Sequence, residues 1–402
     1  MIQSTKGKQT TNKYYLLAST NLQKKDFTSA KSNLLKYLNN NRDYHALNLL
    51  GICYLNLKEY FKAANIFKEL ISNKIISDSI FNNYGIALKN LKEFNTAKYY
   101  FKESIKLNDR NFLTHFNLGN LNLEIGKEKE AEILFLKCLN IQKDYFPAIA
   151  NLSKLYLKYY NLDKCLKLLK NSLKIFPNNE IVIENLAKVY LIRKNFPLAE
   201  KHLIKLIQLS KENVKKIIPL ILGYSYEGNE KQYKKICKLF IKNLTRDSSK
   251  FSLNLKKNKL PKISFLSPDI RNHPVGFFIK DMLPELSKAF EVIIFNTCEF
   301  EDEISIYTKK LCQWINLKDK NEYEIADIIY KKNVDVLIDT SGMTRTNNLG
   351  VFKLKPCKNQ ISWAGWLAST NLKEMDYVIS DNFCTQKKDE KFFTEKILRM
   401  KN

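Results

Sequence analysis

Residues 83–101 read Asn-Tyr-Gly-Ile-Ala-Leu-Lys-Asn-Leu-Lys-Glu-Phe-Asn-Thr-Ala-Lys-Tyr-Tyr-Phe, and this stretch decides the fold of the N-terminal half of the chain. In it, a large apolar residue precedes Gly85, a small residue follows at Ala97, and a bulky ring follows at Phe101. Small residues recur every 34 positions along the chain, at Gly51, Gly85, Gly119, Ser153 and Ala187. A fixed period of this length indicates a chain built from repeated structural units.

The other two positions of the pattern keep the same period. The second small position holds Ala63, Ala97, Ala131, Cys165 and Ala199, and the bulky position holds Phe67, Phe101, Phe135, Leu169 and Leu203. A 34-residue unit of this kind matches the tetratricopeptide repeat, in which two antiparallel helices approach closely where side chains are small. We predict about six units over residues 11–213 and further helical sequence to about Arg246, so that residues 1–246 form an α-solenoid.

One polar position shares the period of the repeat. Asn83, Asn117, Asn151 and Asn185 each stand before the large apolar residue of a unit, which places them on one stripe of the inner helices. A side-chain amide offers one acceptor and two donors, so a row of amides can bond an extended peptide backbone without reading its sequence. We therefore predict a peptide-binding stripe on the concave face. The alternative is a structural preference for asparagine at this repeat position.

The composition is that of a folded chain without membrane spans. With 402 residues, of which 45% are apolar, the chain is long enough for two or three domains. The longest uncharged stretch, Asn359 to Leu372, is shorter than the ~18 residues of a spanning helix. The N-terminus lacks the apolar core of a signal peptide, so we expect a cytoplasmic protein.

Charge and cysteine content exclude two classes of site. The net charge is +26, but the basic residues are spread along the chain without a dense block, which indicates a solvated basic surface rather than specific nucleic-acid binding. None of the eight cysteines forms a Cys-x-x-Cys pair, and there are only four histidines, so we expect no structural zinc. The cysteines are interpreted as reduced and mostly buried.

From Lys262 the pattern changes to short apolar runs separated by amphipathic stretches. We predict strands that begin at Ile263, Glu291, Val334, Gln360 and Tyr377, with helices over 275–289, 305–314 and 322–332. This alternation implies a parallel Rossmann-like sheet with helices on its faces, whose ligands bind beyond the carboxyl ends of the strands. The chemistry is therefore expected in the loops after Ser267 and Asp339. Residues 247–260 form the predicted linker, and residues 261–402 form the second domain.

Five motifs in order carry a resemblance to a known family. They are Phe265-Leu-Ser-Pro-Asp-Ile-Arg-Asn-His-Pro, Val334-Asp-Val-Leu-Ile-Asp-Thr-Ser-Gly, Gln360-Ile-Ser-Trp-Ala-Gly-Trp, Met375-Asp-Tyr-Val-Ile-Ser-Asp and Glu395-Lys-Ile-Leu-Arg-Met. After a repeat solenoid, they resemble the protein O-linked N-acetylglucosamine transferases of the SPINDLY-like group.

The resemblance implies a two-lobed glycosyltransferase of the GT-B type, of which residues 261–402 are the first, acceptor-side lobe. It implies UDP-N-acetylglucosamine as the donor, Ser or Thr of proteins as the acceptor, and inversion at the sugar carbon without a metal or other cofactor. The repeats are then expected to bind the acceptor polypeptide.

The resemblance also assigns candidate site residues. It places His273 in the catalytic cleft, where an imidazole can either position or deprotonate an acceptor hydroxyl. The alternative is a loop histidine that only bonds the backbone. Asp269 can orient His273 or cap the following helix. The cleft residues for acceptor and donor are predicted to be Asp269, Asn272, Gly342, Thr344, Gly365, Ser369 and Thr370.

Three departures from the family pattern leave two hypotheses. Met343 stands where many relatives have a histidine, and 366–371 replace a glycine-containing turn that shapes the donor site. The sequence also ends at Asn402, where the family's second, nucleotide-binding lobe is expected to begin. The chain is therefore interpreted as an incomplete protein O-glycosyltransferase without activity of its own. The alternative is a non-catalytic tetratricopeptide adaptor with a vestigial transferase half-domain.

Overall fold

The computed structural model describes residues 2–244, 251, 259–366 and 368–400, with side chains from Lys13 onward. Its contacts divide the chain into two compact units, Met1–Asn185 and Leu186–Asn402. Among the described helices, none combines the length and the apolar character needed to cross a membrane.

The first unit is a series of helical hairpins in which successive helices pack against each other. The helices are α1 Ile2–Gln23, α2 Phe27–Leu38, α3 Tyr44–Asn56, α4 Tyr60–Ser72, α5 Asp78–Asn90, α6 Phe94–Leu107, α7 Phe112–Glu124, α8 Glu128–Ile141, α9 Phe146–Lys158 and α10 Leu162–Ile175. Helix α11, Glu180–Ile192, contains the boundary between the two units. The odd-numbered and even-numbered helices are the two helices of successive repeats.

Close helix approach explains the glycines of the repeat. A Cβ atom at Gly85 would lie 2.7 Å from the ring of Phe101, which is fully buried on the partner helix. The same relation, at 2.8 and 2.7 Å, joins Gly51 to Phe67 and Gly119 to Phe135. Each of these three repeats therefore packs a phenyl ring directly on the backbone of the neighbouring helix, and a larger residue at the glycine position has no room.

The turn between the two helices of each repeat ends in the left-handed backbone region. The residues with positive φ are Lys58 (60°), Lys92 (67°), Gly126 (76°), Tyr160 (54°), Lys194 (54°) and Gly228 (66°), again 34 positions apart. The amide of the next residue closes the turn onto a carbonyl five positions earlier, as in the bond from Glu59 to Tyr54. Glycine adopts this conformation freely, whereas other residues are strained by about 1 kcal/mol.

The second unit adds more helices and a parallel sheet. Its helices before the sheet are α12 Phe196–Leu209, a 3₁₀ helix Lys211–Ile217, α13 Ile218–Tyr226 and α14 Glu230–Asn243. The strands are β1 Lys262–Ser267, β2 Glu291–Asn296, β3 Gln313–Asn316, β4 Val336–Asp339, β5 Asn359–Ser362, β6 Tyr377–Ser380 and β7 Lys396–Arg399. The remaining helices are α15 Pro274–Ala289, α16 Glu303–Lys309, α17 Glu322–Lys331, α18 Leu349–Lys353 and a 3₁₀ helix Lys387–Phe392.

The seven strands are all parallel and lie in the order β3-β2-β1-β4-β5-β6-β7. The reversal of strand order beside β1 is typical of Rossmann-like sheets, and the fold class predicted from the sequence is confirmed. One predicted helix, 305–314, is wrong in its second half. Helix α16 ends at Lys309, and Trp314 and Ile315 pair with β2 as an edge strand.

The last helices before the sheet belong to the same compact unit as the sheet. The Lys353 ammonium donates to the carbonyls of Ile241 and Leu244, at 2.7 and 3.1 Å, and so caps the carboxyl end of α14. The domain limits 1–246, 247–260 and 261–402 stay a prediction, and the linker 247–260 lies almost wholly outside the described residues.

Candidate functional site

Three neighbouring strands end together at the carboxyl edge of the sheet. Leu266 of β1 pairs with Asp339 of β4, and Asp339 pairs with Ser362 of β5. The loops that follow these strands carry all of the predicted cleft residues. The strand order thus makes the loop after β4 the neighbour of the loops after β1 and β5.

The loop after β1 is held by its own polar side chains. The buried Ser267 hydroxyl accepts a bond from the Asp269 amide at 3.0 Å. The Asp269 carboxylate lies 3.4 Å from the Arg271 guanidinium. Asp269 does not cap α15, because the capping residue of this helix is His273. Of the two predicted roles for Asp269, the capping role is therefore wrong.

His273 begins helix α15 at the mouth of the loop. Its Nδ1 atom accepts the Val275 amide at 3.3 Å, and its side chain is partly buried. A neutral imidazole that accepts at Nδ1 carries its proton on Nε2, where it can donate a hydrogen bond. Gly276 permits this tight start, since a Cβ atom would lie 2.0 Å from the Arg271 carbonyl oxygen.

Asn272 connects this loop to the next crossover. Its backbone amide donates to the Asp302 carboxylate at 2.6 Å, and Asp302 is also the N-cap of α16. Burial acts to raise the pKa of Asp302, but the amides of Asn272, Ser305 and Ile304 bond to its carboxylate and lower it overall. The exposed Asn272 side chain stays available at the surface.

Asp339 organises the loop after β4 from within the protein. Its carboxylate is fully buried and accepts the amides of Ser341 and Gly342, at 3.1 and 2.8 Å. Burial raises the pKa of Asp339 to about 6, although the two amide bonds oppose this shift. The Asp339 carbonyl accepts the Trp363 amide at 2.8 Å and thereby ties the loop to β5.

Two glycines bring the loops after β4 and β5 into direct contact. A Cβ atom at Gly365 would lie 1.8 Å from the Thr340 carbonyl oxygen, and one at Gly342 would lie 2.0 Å from Cβ of Trp366. Gly342 also has a φ of +54°. Gly365 therefore sits where two backbones touch, and Gly342 sits where the Trp366 side chain packs on the backbone. Neither position accepts a side chain.

A group of buried hydroxyls lines this junction without internal partners. Within the described residues, no hydrogen bond is made by the buried hydroxyl oxygens of Thr340, Ser341, Thr344 and Ser362. Buried polar atoms in proteins are nearly always hydrogen-bonded, to protein, water or a ligand. At the junction of the β4 and β5 loops, a polar ligand could therefore form hydrogen bonds with side-chain hydroxyls that have no protein partner among the described residues.

Ser369 and Thr370 are used differently from the prediction. Both are buried, and their hydroxyls donate to the buried carboxylate of Glu395, with 2.6 Å between the Ser369 and Glu395 oxygens. The Thr370 amide donates to the same carboxylate at 2.7 Å. These two hydroxyls hold the loop after β5 in place through their bonds to Glu395.

The departures from the family pattern have structural explanations. Met343 is fully buried, so that position faces the protein interior. Asn371 takes a φ of +55° in the turn where the family has glycines. Asparagine tolerates this backbone region better than most residues, so it can adopt the conformation of a glycine with little strain.

The asparagine stripe of the repeats makes bonds between successive repeats. The side-chain amide of Asn117 donates to Asn82 at 2.9 Å, and that of Asn151 donates to Asn120 at 2.7 Å. Asn185 donates likewise to Ser153 at 3.1 Å, and Asn83 accepts a long bond of 3.4 Å from Asn82. The structural alternative thus accounts for one N–H of three amides. Asn185 is buried, whereas Asn83, Asn117 and Asn151 are partly exposed.

Over the described part of the chain, no three His, Cys, Asp or Glu side chains gather as a metal site requires.

Three residues that shape the site were not predicted from the sequence. Asp339 caps its own loop from within the protein, and Glu395 anchors Ser369 and Thr370. The third is Tyr233 of α14, whose hydroxyl donates to the Ser369 carbonyl at 2.7 Å. A carboxylate placed before a strand, as Glu395 is, gives no sequence signal of this role.

The chain is similar to known glycosyltransferases. Residues 218–402 match glycosyl transferase family 41, and residues 78–111 and 114–145 match the tetratricopeptide repeat. The probable UDP-N-acetylglucosamine–peptide N-acetylglucosaminyltransferase SPINDLY of Arabidopsis thaliana is 27% identical over 157 residues, which are 37% of this chain and 17% of that protein. The UDP-N-acetylglucosamine–peptide N-acetylglucosaminyltransferase of Caenorhabditis elegans is 24% identical over 35% of this chain and 12% of its own length.

Solved structures support the fold. A mutant O-GlcNAc transferase of Thermobaculum terrenum superposes with a TM-score of 0.53 at 18% identity, covering 72% of this chain and 57% of that one. The C-terminal part of a tetratricopeptide protein of Cytophaga hutchinsonii gives a TM-score of 0.50 at 14% identity, covering 58% of this chain and 96% of that one. The resemblance inferred from the five motifs is confirmed. The matched segments span less than a fifth of the two curated relatives' lengths.

Proposed function

We propose that this chain provides the peptide-binding repeats and the first lobe of a protein O-glycosyltransferase, which transfers N-acetylglucosamine from its UDP-sugar to Ser or Thr of proteins. The observation that carries the proposal is the group of buried, unpartnered hydroxyls at the junction of the β4 and β5 loops. This junction lies within residues 218–402, which match glycosyl transferase family 41.

The chemistry of the junction suits a sugar. Hydroxyl side chains both donate and accept, so they complement sugar hydroxyls, which do the same. The hydroxyls of Thr340, Ser341 and Thr344 have no protein partner among the described residues, so each can bond such a ligand. The proposed ligand of this junction is therefore the sugar part of the donor.

His273 acts in this proposal by positioning. Because Nδ1 accepts the Val275 amide, Nε2–H is the group that can donate to an acceptor hydroxyl or to a sugar oxygen. The loop after β1 lies beside the loop after β4 in the strand order, which supports a role for His273 at the same edge. Deprotonation of the acceptor then belongs to another group.

The repeats provide the acceptor site. The side-chain oxygens of Asn117 and Asn151 can accept backbone N–H groups of an extended polypeptide, while their N–H groups bond the preceding repeat. Such contacts bind many sequences with similar strength. The enzyme is proposed to act in the cytosol, where the free thiols of its eight cysteines stay reduced.

A specific observation favours a second function, that of a non-catalytic adaptor. Met343 is buried where many relatives have a cleft histidine, and the hydroxyls of Ser369 and Thr370 are committed to Glu395. A protein that had lost transfer would still bind peptides through its repeats. The two functions differ in whether the sheet domain binds a nucleotide sugar.

The test is a calorimetric titration of the full chain with UDP-N-acetylglucosamine. Thr344→Val removes one unpartnered hydroxyl without changing side-chain shape, and we expect it to weaken binding about tenfold. Thr346→Val is the matched control, because Thr346 is exposed two residues away. Binding by the parent and the control, with loss in Thr344→Val, supports the transferase. No binding by the parent, together with retained peptide binding, supports the adaptor.

A further inference from the structure

We propose that Tyr233, on the last helix before the sheet, is a positioning residue for the sugar-binding junction. It acts through the loop after β5, defined here as 363–366 and 368–371. The inference rests on the proposed function for the identity of the ligand, but the contacts that carry it are independent of any ligand. Tyr233 itself is not proposed to touch the substrate.

Tyr233 reaches the loop from α14. Its side chain is buried, and its hydroxyl donates to the Ser369 carbonyl at 2.7 Å. Burial raises the pKa of the phenol, so the hydroxyl keeps its proton and remains a donor at all working pH values. A single buried donor thus fixes the position of the loop backbone at Ser369 relative to α14.

Glu395 holds the same stretch from the opposite side. Its carboxylate accepts from the Ser369 hydroxyl at 2.6 Å, from the Thr370 amide at 2.7 Å and from the Thr370 hydroxyl. The Asn371 amide in turn donates to the Ser369 hydroxyl at 3.0 Å. Residues 369–371 are therefore fixed between the helix that precedes the sheet and the start of its last strand.

Trp366 connects this anchored stretch to the junction. It lies three residues before Ser369 in the same loop. The Cβ atom of the same Trp366 packs on Gly342, at a distance that leaves no room for a side chain there. The loop that Tyr233 holds at Ser369 therefore packs, through Trp366, against the loop that carries the unpartnered hydroxyls.

Tertiary contacts are needed here because the local sequence does not fix the turn. The family's glycine-containing turn is replaced by residues that include Asn371 at a φ of +55°. Residues around a binding site must be held to fractions of an ångström, and second-layer hydrogen bonds are the usual means. Tyr233 is the second-layer contact that comes from outside the sheet.

The experiment compares Tyr233→Phe with Tyr224→Phe in the full chain. Tyr224 is the matched control, because its buried hydroxyl donates to Glu200 at 2.8 Å on the neighbouring helix and makes no such bond to the loop. Hydrogen exchange of peptides that contain 369–372 is measured by mass spectrometry, together with the dissociation constant of UDP-N-acetylglucosamine and the melting temperature.

We expect both variants to lower the melting temperature by a similar amount, since each loses one buried hydrogen bond. Only Tyr233→Phe should speed exchange in 369–372, and it should weaken UDP-N-acetylglucosamine binding about fivefold to tenfold. Equal exchange in the two variants would overturn the inference. So would faster exchange in Tyr233→Phe with unchanged affinity, because the anchor would then be structural only. If the parent binds no nucleotide sugar, the proposed function fails, and the exchange comparison alone decides whether Tyr233 holds the loop.

Discussion

The glycine positions of the repeat permit a quantitative test of how the solenoid is packed. In Gly85→Ala, the added Cβ atom would lie 2.7 Å from the Phe101 ring, whereas ordinary contacts are 3.4–4 Å. The ring is fully buried and cannot swing into solvent, so the two helices must separate by roughly 1 Å or the ring must leave its rotamer. We expect Gly85→Ala to lower the free energy of unfolding by about 2 kcal/mol.

A compensating substitution makes the test specific. Phe101→Leu removes part of the ring and should cost about 1–2 kcal/mol by itself through lost burial. In the double variant, the alanine methyl group occupies space that the ring has left. The loss in the double variant should therefore be smaller than the sum of the two single losses by at least about 1 kcal/mol.

The assay is urea unfolding of the full chain, followed by far-ultraviolet circular dichroism. Gly126→Ala is the control, because its added Cβ atom meets nothing within 4 Å and only the φ of +76° opposes it. Phe101→Leu should not rescue that variant. A Gly85→Ala variant within about 0.5 kcal/mol of the parent, or strictly additive losses, would refute the packing argument.

Three further predictions address the turns, the buried acid and the repeat amides. Lys58→Gly should raise the free energy of unfolding by up to about 1 kcal/mol because it relieves the left-handed turn, and a lower melting temperature would contradict this. Asp339 has a folded pKa of about 6, above its unfolded value, so its contribution to stability falls as pH rises from 4 to 6. Asp339→Asn should therefore become more favourable relative to the parent between pH 4 and pH 6, and a pH-independent difference in urea unfolding would count against the buried charge. Asn151→Ala should lose about 1 kcal/mol of stability through its bond to Asn120 and should also weaken peptide binding, which calorimetry with an extended peptide checks; unchanged binding would leave the stripe purely structural.

The sequence was most informative where physical constraints repeat. The contact of Gly85 with Phe101 recurs in other units, so its spacing is visible as a period, and the parallel sheet is visible as alternating apolar runs. Strand β3 was missed because Gln313–Asn316 is short and follows a helix directly. Its pairing with β2 is a tertiary effect that overrides weak local preference.

The site could be predicted only in part. The motif loops place His273, Gly342 and Gly365 at one edge of the sheet, as expected. The contact of Tyr233 with Ser369 joins residues far apart in sequence and on different elements, so no local pattern encodes it. Ser369 and Thr370 had the right chemistry for ligand contacts, but their hydroxyls meet an internal carboxylate instead. Hydroxyl groups at a motif position do not by themselves say which partner they have.

The positive-φ turns of the repeats have a consequence at the level of the gene. Every glycine codon begins with two guanines, and two guanine-to-adenine changes turn GGA into AGA and then into AAA, which encodes lysine. The chain has only 11 glycines, and lysine occupies three of the six left-handed turns described above. A mutational bias toward adenine that replaced glycine by lysine at such a turn would therefore lower the stability of the fold by about 1 kcal/mol. Nucleotide composition would in that way lower the free energy of unfolding of a solenoid by a small amount at each helical hairpin.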